Sequence, residues 1–89
     1  MRSPRDELEE ILEELNPGAL YMDGFDGAIV GYGQIATGEP LAVYDEDMII
    51  EILVNEGLSE EEALDHYGFN IQGAYVGPGT PIILKRLHE

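Results

Sequence analysis

Residues 23–38, DGFDGAIVGYGQIATG, hold five glycines and two aspartates around an apolar run, the composition of a ligand-holding loop. Phosphate is the first ligand to test. A dinucleotide cradle needs G-x-G-x-x-G between a strand and a helix, so that the pyrophosphate meets the helix N-terminus. Here the glycines are Gly31, Gly33 and Gly38, the pattern continues into a second strand, and no lysine completes a P-loop. Calcium is the second. With Asp23 as the first position of an EF-hand loop, the third, fifth and twelfth fall on Phe25, Gly27 and Gln34, which offer no carboxylate. Asp-Gly-Phe-Asp-Gly therefore reads as a tight turn, its aspartates accepting backbone N–H bonds and Phe25 anchoring it in the core. Gly31 and Gly33 leave one face of the following strand bare, and we expect another part of the same fold to approach it.

Catalytic chemistry finds little else to use. The two serines, Ser3 and Ser59, both read as helix caps, and the two histidines are His66, on the outer side of a helix, and His88, next to the last residue. No cysteine is present, so disulfides and thiolate metal sites are excluded. We expect no enzyme, no metal and no cofactor.

Charge is the dominant signal. Nineteen carboxylates stand against four Lys and Arg, a formal charge of −15, and the four cations are Arg2, Arg5, Lys85 and Arg86. Residues 6–84 contain none, which predicts almost no internal ion pairs across the body of the domain and a self-repulsion relieved by salt. Direct nucleic-acid binding is excluded on this reading, because phosphate contacts need Lys and Arg. A basic protein surface is the natural complement. No apolar run approaches the roughly 18 residues of a membrane span, and the N-terminus lacks the apolar stretch of a signal peptide, so a cytoplasmic protein is expected.

The acid is concentrated. Ser3, Pro4 and Asp6 give the cap, first-turn proline and capping box of a helix over residues 3–15. Leu8, Ile11, Leu12 and Leu15 share its apolar arc, and Asp6, Glu7, Glu9, Glu10, Glu13 and Glu14 fill the rest. Six carboxylates over about 12 Å is roughly one charge per 2 Å, near the ~1.7 Å of duplex DNA. The six like-charge pairs at i,i+3 and i,i+4 each cost roughly 0.2–0.5 kcal/mol. That cost makes Glu9, Glu10, Glu13 and Glu14 candidate partner-binding residues, against the plain alternative of a solvated face kept soluble by charge.

Asn16-Pro17-Gly18 ends the helix. ALYM (19–22) reads as a short strand, and residues 28–35 and 41–44 as an antiparallel pair. Asp45 caps a helix over about 46–56 that buries Met48, Ile49, Ile52 and Leu53 and stops at Gly57. Ser59 and Glu62 form a second capping box, opening a helix that turns Ala63, Leu64, Tyr67 and Ile71 inward. After the turn-rich VGPGTP, IILKRL is a last strand at a sheet edge. The chain of 89 residues is one domain, an acidic helix (1–17) on a core of residues 19–87. Its class is α+β in the order α-β-β-α-α-β: an antiparallel sheet of three to four strands with helices packed on one face.

Three segments, DGFDGAIVG, VYDEDMIIEILVNEGLSEEEAL and FNIQGAYVGPGTPIIL, resemble a family of small acidic proteins of unassigned function associated with tailed bacteriophages and related bacterial genomes. The likeness covers roughly residues 22–84 and leaves out the acidic helix. It implies no catalytic or binding residues; Asp23, Asp26, Asn70, Tyr75 and Thr80 are the positions it marks for test. A phage setting implies a host protein as the partner and the host cytoplasm as the site. Two other readings compete: a small-ligand or nucleotide-sequestering module with its pocket between the Asp23–Gly27 turn and the 73–80 loop, and a structural module that forms a homo-oligomer.

Overall fold

Local chain signals set the helices. In a computed structural model, which describes residues 3–68, 71 and 76–87, Ser3 accepts the Asp6 N–H while the Asp6 carboxylate accepts the Ser3 N–H. This capping box starts α1, Pro4–Leu15. A second box between Ser59 and Glu62 starts α3, Glu60–Tyr67. Asp45 caps α2, Glu46–Asn55, by accepting the Met48 N–H at 3.1 Å. Gly57, at φ +111°, takes the left-handed conformation that ends it.

Three strands complete the α+β domain: β1, Ile29–Gly33, led by a 3₁₀ turn over Asp26–Ala28; β2, Leu41–Asp45; and β3, Ile82–Leu84. The sheet order is β1-β2-β3. β1 and β2 are antiparallel as expected, with a bulge between Ile29 and Gly31. β3 corrects the expectation of an antiparallel sheet. It runs parallel to β2, pairing Val43 with Ile82 and Asp45 with Leu84, so the sheet is mixed. A parallel neighbour requires a crossover from one end of the sheet to the other, and residues 46–81, with α2 and α3, provide it.

Side-chain alternation divides the sheet. Ala42 and Tyr44 point into a core shared with Leu8 and Leu12 of α1, Ile49 and Leu53 of α2, and Ala63 and Tyr67 of α3. All three helices thus cover one face. Leu41 and Val43 lie on the other, half-buried. Gly33 faces the same way, and a Cβ there would stand 3.3 Å from Val43 and 3.6 Å from Ile82. The expected approach of this fold's own side chains therefore holds at Gly33 and not at Gly31, where a Cβ would meet nothing within 4 Å. Two residues assigned inward are not: Leu64 is 52% exposed and Leu15 49%. Ile71 packs against the core at its edge.

ALYM forms no strand. The Leu20 N–H donates to the Gly79 carbonyl at 2.9 Å, and the Met22 N–H to the Tyr44 hydroxyl at 2.9 Å. A loop and a side chain satisfy donors that a ladder would otherwise take. Gly79 lies so close to the Gly18 carbonyl and to Leu20 that no side chain fits between them. Asn16 is buried at the end of α1, its amide donating to the Pro40 carbonyl at 2.8 Å and accepting the Gly18 N–H at 3.2 Å.

Candidate functional site: the two faces of the acidic helix

Helix α1 separates the four carboxylates singled out for partner binding. Glu9 and Glu13 lie on the side of Asn16, Ala19 and Tyr21. Glu10 and Glu14 line a shelf on another side, with Glu7, Ile11 and Leu15. The two sides differ in electrostatics because of Arg5.

Arg5 was outside the carboxylate-only interval, yet it reaches in. Its Nε meets Glu9 Oε1 at 2.7 Å, and its Nη1 lies 3.5 Å from Asp23 and 3.4 Å from Asp26. The guanidinium also sits 4.8 Å from the centre of the Tyr21 ring. Its pKa is raised further still, chiefly by the hydrogen bond to Glu9. This corrects the expectation that ion pairs are almost absent: cations at the rims of the sequence are folded inward. The partner that the structure gives Asp23 and Asp26 is a guanidinium, which holds the turn to α1, while Phe25 packs against the core. Among the described residues no group of three or more His, Asp or Glu side chains could hold a metal ion.

At the other end, Arg86 binds the 2%-exposed Asp45 through two nitrogens, Nε at 2.7 Å and Nη2 at 3.1 Å. Burial alone would raise the Asp45 pKa, but Arg86 and the backbone donors of Met48 and Asp47 outweigh it and hold the carboxyl below its ordinary value. Lys85 lies 3.7 Å from Glu46, which also accepts the Tyr67 hydroxyl at 2.7 Å. Burial first, and then that hydrogen bond to Glu46, push the Tyr67 pKa up.

Arg5, Lys85 and Arg86 are thus directed at Glu9, Asp23 and Asp26 or at Asp45, Glu46 and Asp47. None of those six carboxylates belongs to the Glu7–Glu10–Glu14 side of α1. Glu7 and Glu14 make no ion pair among the described residues.

That same side opens onto an apolar groove of about 250 Å3 between α1 and the edge strand β1. Leu8, 3% exposed, is its floor; Pro4 and Ile11 form one wall, and Ile29, Val30 and Tyr32 the other. Sequence reasoning missed this groove. Its signal was the run Pro4, Leu8, Ile11, Leu15, whose 4-3-4 spacing is that of a helix-packing seam. The packed core takes Leu8 and Leu12 only.

Of the other marked positions, Thr80 is among the described residues. Thr80 locks a separate turn: its Oγ1 accepts the Val76 N–H at 2.9 Å and donates to the Gly77 carbonyl at 2.7 Å. Asn70 and Tyr75 lie outside the described residues. The loop carrying Gly79 closes against Gly18 and Leu20.

Compared with family models, curated proteins and solved structures, the chain finds no match. No helix among the described residues is long and apolar enough to cross a membrane.

Proposed function

We propose that the protein is a non-enzymatic acidic binding protein that engages and modulates a basic protein surface. The resemblance to phage proteins makes that surface a host factor's, and the density of carboxylates on α1 fits a groove that ordinarily holds nucleic acid. One observation carries this reading: Arg5, Lys85 and Arg86 are engaged with other carboxylates, while Glu7 and Glu14 make no ion pair among the described residues and stand beside an apolar groove. Fixed like charge on one surface steers a basic partner and discourages an acidic one.

The test is capture of nucleic-acid-binding proteins at about 0.05 M and about 0.5 M salt, where the screening length differs severalfold. Competition by duplex DNA and a Glu9→Lys, Glu10→Lys, Glu13→Lys, Glu14→Lys variant complete it. Binding should be strong at low salt, weak at high salt, displaced by DNA and lost in the variant. Capture by the reversed variant equal to that by the parent chain would sink the reading.

A further inference from the structure

The groove specifies the shape of a partner as well as its charge. Pro4 and Ile11 form its helical wall above the buried Leu8, Leu15 follows on the adjoining shelf, and carboxylates at 7, 10 and 14 run alongside. Glu7 and Ile11 belong both to the apolar groove and to the acidic shelf, so the two form one continuous surface. Across it stand Val30, 46% exposed, and Tyr32, 49% exposed. Leu15, 49% exposed, extends the apolar seam to the end of the helix.

Two occupants could use an edge strand beside a helix. An added strand would need a regular row of free backbone groups, but β1 has five residues and is bulged between Ile29 and Gly31. A bulge twists the edge and interrupts such a row. A helix needs no ladder; it needs an apolar seam at i, i+3, i+4 and i+7, flanked by complementary charge. On α1 the accessible members of such a stripe are Pro4, Ile11 and Leu15, seven and four residues apart over the buried Leu8. Its twelve residues span about 18 Å, enough for three turns of a partner.

We propose that a basic amphipathic helix lies along α1 in this groove, with apolar residues between α1 and β1 and lysines or arginines over Glu7 and Glu14. Long basic side chains suit the site because their aliphatic stems can cover Val30 and Tyr32 while their heads reach Glu7, which lines the same groove. This rests on the reading that the protein binds a basic surface, and adds where and in what conformation.

The test uses two 18-residue synthetic peptides of identical Leu and Lys content. In one, the leucines form a helical stripe; in the other, the same residues are permuted so that no stripe forms. The striped peptide should bind at least about tenfold more tightly, because only it places several leucines in the groove at once. Leu15→Gln with Val30→Gln, both at exposed positions, should abolish that preference. Glu61→Gln with Asp65→Asn, exposed on α3 and outside the groove lining, should leave it intact. Equal, salt-sensitive binding of the two peptides would overturn the groove and leave the acidic reading standing. No binding of either, or a preference that survives the Leu15 and Val30 changes, would also overturn it.

Discussion

Arg5 and Arg86 sit near opposite ends of the chain, and each gathers carboxylates from distant segments, but the surroundings differ. Arg5 spreads itself over Glu9, Asp23 and Asp26, whose side chains are 48%, 100% and 47% exposed. Arg86 concentrates two bonds on Asp45, whose side chain is 2% exposed. Water competes for the exposed side chains of the first cluster and hardly reaches that of Asp45. The contrast shows why position outweighs number: shared, exposed pairs contribute little each, whereas one buried carboxylate that also caps a helix ties three elements together. Asp45 ends β2, starts α2 and holds the chain that follows β3.

Removing Asp45 should have the largest effect. Asp45→Ala deletes the cap of α2, about 1 kcal/mol, and the charge-assisted contact with Arg86, giving a total of about 2–3 kcal/mol by urea unfolding. Asp26→Ala should cost no more than about 0.5 kcal/mol. Equal losses would break the contrast. Next comes Arg5→Gln, expected to cost about 1 kcal/mol, part of it from the Tyr21 ring. Raising salt to about 0.5 M should shrink this loss and leave that of Asp45→Ala nearly unchanged. A loss at Arg5 indifferent to salt would mean that packing against Tyr21, rather than charge, holds the cluster.

The smallest effect is a pH dependence. The folded pKa of Asp45 lies below its ordinary value, so its charge stabilises the fold above about pH 4 and ceases to as pH falls through the folded value. Asp45→Asn keeps a capping side chain but loses the charge. The gap between it and the parent chain should therefore be full at pH 7 and narrow below about pH 4. A gap that stays constant down to pH 2 would show that the carboxylate's charge is not what Arg86 recognises.

Helix starts were legible in the sequence because their chemistry is local: Ser3 with Asp6, Ser59 with Glu62, Asp45 with Met48, all three residues apart. The α+β class and the single covered sheet face followed from periodicity. What escaped depends on partners far along the chain. ALYM has strand-like residues, but its donors answer to Tyr44 and Gly79, 22 and 59 positions away. VGPGTP announces a turn without saying which way the next strand runs. The clustering of acid on α1 could be read directly, yet its division into two unlike sides could not, because Arg5 selects Asp23 and Asp26 across 18 and 21 residues. The groove was hidden for a related reason: 4-3-4 spacing looks the same whether Ile11 and Leu15 enter the core or border it.

The parallel pairing of β3 also has a consequence in time. Residues 43 and 82 must meet across 39 positions, whereas β1 and β2 close over a short connection. Local closure is entropically cheap and fast, and distant closure is slow. The β1–β2 hairpin and the three helices can therefore assemble while the sheet is still two strands wide. Asp45 gains its guanidinium only when the chain that follows β3 docks beside β2, so that contact belongs with the distant closure and not with the local one.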